Sequence, residues 1–279
     1  MLDGAFERLA RFGYAARGLV YLIVGGLAVL AALGRDRETP DSRDALATLL
    51  STPYGGVVLG LVALGLLCFA LWRLAQAALD ADHLGADAKA LVRRAGFTIS
   101  AIANIALAMS AIGLISSVVA SGGNGSARDW TAYLLSLPFG QWLVALVGIA
   151  VIGTGLGTAW KGWTASFQTR LAVDADAARW AVPTGRAGYL ARGLVFVLAG
   201  GFLVLAALHA NAREVRGLAG TLGALQDQPY GWVLLLVTAL GLFAFGAFQF
   251  IAARYRRIAP PDLSRAAEAA GRVFDATTS

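Results

Sequence analysis

Arg186-Ala187-Gly188-Tyr189-Leu190-Ala191-Arg192-Gly193 repeats almost word for word the stretch Arg11-Phe12-Gly13-Tyr14-Ala15-Ala16-Arg17-Gly18, and each opens a long apolar run. A degenerate copy lies between them. It reads Arg94-Ala95-Gly96-Phe97-Thr98-Ile99-Ser100-Ala101, keeping the first Arg, the Gly and the aromatic but carrying Ser100 in place of the second Arg. Three openings mean three tandem units, and self-similarity of this kind decides the architecture before any single residue is interpreted. A second signature recurs in step with the first: Pro53-Tyr54-Gly55, Pro138-Phe139-Gly140 and Pro229-Tyr230-Gly231 each precede a second apolar run. Pro suits the first helical turn, where its missing N–H costs nothing, and the aromatic belongs at the headgroup level of a membrane.

The composition agrees with a membrane chain. Of 279 residues, 58% are hydrophobic and only 14% charged, and the mean hydropathy is +0.66, outside the range of soluble globular domains. Residues 18–34, 54–72, 95–127, 130–160, 193–212 and 228–253 contain no Asp, Glu, Lys or Arg. Each can hold the roughly 20 apolar residues that cross about 30 Å of hydrocarbon as a helix. Arg8 and Arg11 ahead of the first run imitate a signal peptide, but the twin of that run opens mid-chain at Gly193, so the first is expected to stay as a span. The side that holds both termini carries 17 of the 23 basic residues. By the positive-inside rule both termini are then cytoplasmic, and the net charge of +6 reflects topology and contact with anionic headgroups rather than nucleic acid.

The expected fold class is therefore an all-α integral membrane protein: six transmembrane helices as three parallel two-helix repeats with pseudo-threefold symmetry. The repeats occupy residues 1–80, 81–165 and 166–257, and 258–279 form a cytoplasmic tail. Leu46, Leu49 and Leu50, then Trp130, Tyr133, Leu134 and Leu137, then Leu218, Leu222 and Leu225 mark a short amphipathic helix inside each unit, expected to lie flat on the outer surface. Gly25, Gly26, Ala108, Gly200 and Gly201 give the first helices small faces, which points to those helices as an inner layer.

Chemistry is sparse. Arg17 and Arg192 are the foremost candidates, because a guanidinium at the end of a span can hold an anionic group bidentately. Snorkelling to lipid phosphate at the boundary is the simpler expectation for both. On the same stripes stand Ser100 and Asn104, the latter able to close a bond between helices or to line a path. Tyr14 and Tyr189 read as interface anchors first and ligand contacts second. No span holds an acid, which argues against coupled cation transport. Asp80-Ala81-Asp82 and Asp174-Ala175-Asp176 read as solvated linker acids, so no metal is expected; Cys68 is alone, and His83 and His209 fall on opposite sides. No hydrolase, zinc-protease or nucleotide-loop motif is present, so neither an enzyme nor a cofactor is expected.

The triple Arg-x-Gly-Tyr-x-Ala-Arg-Gly opening, each copy paired with Pro-aromatic-Gly, resembles the bacterial DUF1206 family. The resemblance covers nearly the whole chain and implies three tandem two-helix membrane repeats with no established biochemical function; Ser100 departs from the motif. The resulting expectation is a non-enzymatic structural or regulatory component of the bacterial cytoplasmic membrane. It would meet anionic headgroups at its cytoplasmic face and leave room for a protein partner or a homo-oligomer. The alternative is a small channel or uniporter for a small, possibly anionic solute along the pseudo-threefold axis, with Arg17 and Arg192 at its inner mouth.

Overall fold

The structure is a computed structural model that describes residues 2–34, 42–51, 54–78, 87–116, 131–216 and 218–257. Six of its helices are long and apolar enough to cross a membrane: α1 (Leu2–Ala32), α3 (Gly55–Ala78), α4 (Ala88–Ile115), α5 (Gly140–Thr164), α6 (Ala175–Leu208) and α8 (Gly231–Tyr255). Two short helices, α2 (Ser42–Leu50) and α7 (Leu218–Gln226), lie within the first and third units, and residues 131–135 form a helical turn in the second. Exposed Trp142 and Trp163 stand 21 residues apart on α5, about 32 Å of helix and thus the spacing of two aromatic belts. We call the end where α1 begins and α8 finishes basal, and the other distal.

The order of packing is α4, α3, α1, α8, α6, α5, in which first and second helices of the units alternate. Within the outer units the two helices pack together, α1 on α3 and α6 on α8. Between units, each first helix packs on the second helix of another unit: α1 on α8, α4 on α3, α6 on α5. Among the described residues, the missing link is the middle unit's own: α4 and α5 do not form a packed pair. The assembly is an arc with one open seam.

This order also corrects the expected inner layer. The most enclosed spans are α1, α3 and α8, with 50, 44 and 56% of their apolar windows buried, against 22, 22 and 28% for α4, α5 and α6. Small residues are shared by first and second helices alike, so they mark crossings and not a layer. Gly18 meets Gly246 between α1 and α8, and the equivalent pair Gly193 and Gly155 joins α6 to α5. Inside the outer units, Gly13 lies on the backbone of Phe69 and Gly188 on that of Phe245, while Gly65 faces Ala16 and Gly241 faces Ala191. In lipid the tails are as apolar as the side chains, so close backbone approach replaces hydrophobic drive as the source of association.

The Pro-aromatic-Gly signature has a different cause from the expected one. Where Pro138 and Pro229 are described they precede the helix, which starts at the Gly; Pro53 lies outside the described residues. The aromatic is the residue before the helix and adopts the left-handed conformation, with φ of 61, 64 and 59° at Tyr54, Phe139 and Tyr230. A Cβ on Gly55, Gly140 or Gly231 would strike the carbonyl oxygens that end the preceding short helix, at Leu49 and Leu50, Leu134, and Gln226. The motif is a tight reversal at the distal end.

The short helices likewise do more than lie on a surface. Leu46 and Leu49 of α2 and Leu222 and Leu225 of α7 are buried in a cluster with α1, α3 and α8, closing the distal end of the core. In the middle unit Thr131 is buried and Tyr133 exposed; Trp130 lies outside the described residues. The linker that carries Asp174 and Asp176 is mostly ordered structure. A 3-10 turn (Ser166–Arg170) leads to Asp174, whose carboxylate accepts the Ala177 N–H at 2.7 Å and caps α6. Asp87 caps α4 in the same way, through Ala90 at 2.9 Å. Asp80, Asp82, His83 and the tail 258–279 lie outside the described residues.

Gly188→Ala places a methyl group on the Phe245 backbone and should cost about 1–3 kcal/mol, whereas Gly201→Ala, with open space at its Cα, should leave stability unchanged. Unfolding of both variants in one detergent checks this, and equal melting points would contradict the packing.

Candidate functional site

Each position of the repeated opening has a separate task. In the first two copies the first Arg caps a helix of a neighbouring unit. Arg11 donates from Nη1 to the carbonyl oxygens of Ala253 and Arg254 at 2.6 and 2.5 Å, at the end of α8, while Glu7 accepts from its Nε at 2.9 Å. Its counterpart Arg94 donates to the Ala77 and Ala78 carbonyls at 2.6 and 3.2 Å, at the end of α3. These are carbonyls that no intrahelical donor satisfies, and a cation there also meets the negative end of the helix dipole. The Gly gives close approach. The aromatic then packs edge-on against its own unit's second helix: Tyr14 on Phe69 at 5.1 Å and Tyr189 on Phe245 at 5.4 Å.

The second Arg lies inside the bundle, and this overturns the boundary expectation. Arg17 is 5% exposed. Its Cζ stands 4.8 Å from the Phe69 centroid, 5.5 Å from Tyr21 and 5.8 Å from Phe245. Arg192 reaches the same group from the other side, at 5.0 Å from Phe245 and 5.9 Å from Tyr21, with Phe196 at 4.7 Å. Both guanidinium groups therefore lie against Tyr21. A third arginine completes the layer. Arg73 of α3 stands 4.9 Å from the Phe69 centroid, touches Phe97 of α4 at 5.1 Å, and donates from Nη1 to Gln76 Oε1 at 3.0 Å.

Arg17 and Arg73 share one ring, and Arg17 and Arg192 share two. No carboxylate pairs with any of the three among the described residues. Nε of Arg73 and Nε of Arg192 are buried without a hydrogen-bond partner. The layer divides two apolar clusters. On its distal side lie Val20, Val24, Leu66 and Leu242; on its basal side Ala10, Tyr14, Trp72, Phe167 and Phe248. Measured from the distal helix ends, Arg17 and Arg192 are 15 and 16 residues down, about 23 Å. Arg73 is 18 residues down α3, about 27 Å. Against about 30 Å of hydrocarbon, the cations occupy the basal third.

The other expected site residues are placed differently. Asn104 is buried, and its amide donates at 2.6 Å to the Ser100 carbonyl one turn back in α4, so it closes no bond between helices. Ser100 sits on the same helix, half-buried. Tyr14 is 2% exposed with an unpartnered hydroxyl, and Arg256 stands 5.2 Å over its ring. Tyr189 stacks on Phe167 at 5.1 Å. Tyr14 is thus enclosed in the bundle and does not anchor the chain at an interface, while Tyr189 is half-buried. His209 meets the Glu214 carboxylate at 2.8 Å on the distal surface. Residues that sequence reasoning passed over are Arg73, Phe69, Tyr21 and Phe245. Repeat register carries a signal for Arg73: its equivalents are Gln249 and Thr158, three polar groups at one position of otherwise apolar helices.

A guanidinium inside the hydrocarbon costs at most about 3 kcal/mol at mid-membrane and less in the basal third, and one cation–π contact returns about 0.5–2 kcal/mol. With three like charges together, the rings offset only part of the cost, and the arrangement can accept an anion. Burying the unpartnered Tyr14 hydroxyl also costs free energy, so Tyr14→Phe should be neutral or stabilising by up to about 1 kcal/mol. Chemical unfolding of the purified variant reads this; a clear loss of stability would show that the hydroxyl has a partner.

Comparison with known proteins places this geometry in a family. The Domain of Unknown Function (DUF1206) matches three times, at residues 12–80, 95–165 and 187–256. The chain is 34% identical over 256 residues, 90% of its own length and 92% of the relative's, to the Uncharacterized protein YxxB of Bacillus subtilis (strain 168). No solved structure matches. With three matched repeats and six apolar helices, this multi-pass membrane protein belongs to the DUF1206 family.

Proposed function

We propose that the protein is a non-enzymatic structural or regulatory component of the bacterial cytoplasmic membrane, and that it works by binding an anion at the Arg17–Arg73–Arg192 layer. The observation that carries this reading is the sharing of Phe69 and Phe245 by three arginines that have no carboxylate partner among the described residues. A cation set of this kind, with Arg17 buried and Arg73 and Arg192 half-buried, is at its lowest free energy when an anion neutralises it and accepts the unused N–H donors. The non-enzymatic assignment is supported by the makeup of the layer: guanidinium groups, phenols and phenyl rings bind and position, and the layer itself holds no nucleophile–base pair among the described residues. The basic excess on the side of both termini supports cytoplasmic termini, with the layer in the cytoplasmic leaflet.

Conduction of a small anion along the bundle is the alternative, and the same arginines would serve it. The distal cluster of Val20, Val24, Ala28, Leu59 and Leu66 fills the core above the layer, which favours a receptor over an open path.

Inorganic sulfate is the probe. It should raise the unfolding free energy of the wild type in neutral detergent by about 2.7 kcal/mol at a hundredfold excess over Kd. Arg17→Gln with Arg192→Gln should remove that gain, and Arg17→Lys with Arg192→Lys should retain part of it. Equal stabilisation of wild type and the Gln pair would overturn the reading. Sulfate flux into liposomes that depends on the two arginines would favour conduction instead.

A further inference from the structure

The open seam between α4 and α5 has a cause in the repeat itself. In the outer units the contact between first and second helix is made by Gly13, Ala16, Gly65, Phe69 and Trp72, and by Gly188, Ala191, Gly241, Phe245 and Phe248. The middle unit holds Gly96, Ile99, Ala150, Thr154 and Gly157 at those positions. The two large rings of the second helix are gone, and the small residue of the first helix has become an isoleucine that is 63% exposed. Gly96, Gly153 and Gly157 accordingly have open space at their Cα atoms. What the middle unit keeps is the contact with its neighbour: Arg94 caps α3, Phe97 touches Arg73, and buried Ala101 faces the first unit.

Cations stand behind this seam. Lys161, on the α5 register of Gln76, lies in electrostatic range of Arg73, Arg192, Arg170 and Arg93. It is 21 residues from the start of α5, about 32 Å, which puts it at the basal edge of the hydrocarbon. Arg73 lies one turn deeper and Arg17 and Arg192 deeper again. The result is a file of positive charge that begins at headgroup level. It leads inward beside the unpaired faces of α4 and α5, where Ile99, Thr154 and Gly157 are exposed.

A water-soluble anion would need only the charges. A phospholipid uses both features, since its phosphate meets the cations at the level where headgroups reside and its chains lie along those unpaired faces. A second copy of the chain fits less well, because its own seam helices would bring Lys161 and the arginines against like charge.

We propose that the α4–α5 seam admits an anionic phospholipid from the basal leaflet, its phosphate held by Lys161, Arg73 and Arg192 and an acyl chain occupying the space left by Thr154 and Gly157. This rests on the anion-receptor reading and names its ligand. The test is lipid retention by the full chain, exchanged into detergent with phosphatidylglycerol or with phosphatidylcholine of the same chains, washed, and weighed by native mass spectrometry. Phosphatidylglycerol should stay bound to the wild type and phosphatidylcholine should wash away. Arg73→Gln with Lys161→Gln should weaken retention about thirtyfold, at the usual worth of two basic residues facing an anionic headgroup.

Thr154→Phe with Gly157→Phe restores the rings of the outer units and should expel the lipid with every charge in place. Monodisperse elution confirms that each variant is folded, and Thr154→Phe alone serves if the pair is not. Equal retention of both lipids, or phosphatidylglycerol held as tightly by the ring-restored variant as by the wild type, would overturn the proposal. If sulfate still stabilises the wild type through Arg17 and Arg192 in that event, the receptor stands and its ligand is a soluble anion. If sulfate does nothing as well, both fall.

Discussion

A helix end leaves carbonyl groups that its own helix cannot satisfy, and the bundle meets that demand across units. Arg11 answers it for α8 and Arg94 for α3, each reaching from the first helix of one unit to the second helix of another. The same step across units recurs in the glycine crossings, Gly18 on Gly246 and Gly193 on Gly155. Association between units is therefore directional: a capped carbonyl end and a close crossing fix which helix follows which. With lipid as apolar as leucine, neither could be replaced by greasier contact surfaces.

Much of this was legible in the residues. The triple opening and the three Pro-aromatic-Gly words disclosed three units of two spans, because a repeat is preserved in the order of letters whatever the packing. The partner of each letter was not legible. Gly13 and Gly18 look alike in sequence, yet one approaches its own unit and the other a neighbour. Arg17 near the start of an apolar run has the look of a boundary residue. The helix in fact begins at Leu2, so that the arginine lies well inside the bundle. Arg73, counted only as a basic residue on one side, is separated by 56 residues in sequence from Arg17 and shares a ring with it. Such a pairing depends on which helices adjoin, and hydropathy carries no information on that.

The degenerate middle copy shows how a repeat can lose one interface and keep another. Arg94, Phe97 and Ala101 serve the contact with the first unit; Arg94 keeps the arginine of its counterparts, Phe97 keeps their ring without the hydroxyl, and Ala101 replaces their glycine. Ile99 and Ser100 stand where an outer unit has Ala and Arg, and Thr154 and Gly157 stand where it has rings. Losses on α4 and α5 fall on the facing surfaces of the same pair. Ser100 also removes the cation that strict repetition would have placed in the layer, so the charge is drawn from the outer units and from Arg73.

That substitution bears on why the layer tolerates its charge. Arginine spreads its charge over a plane that lies against a ring face, and it is more weakly hydrated than an ammonium, so it loses less on entering a low-dielectric site. Phe69 and Phe245 each have two guanidinium groups within about 6 Å of the ring centroid. Rings stabilise cations one at a time, however, and do nothing to separate cations from one another. Every further arginine on a shared ring adds repulsion that the ring does not offset. The cluster is therefore built with positive charge beyond what its own residues balance, and the open side of the arc lies beside it.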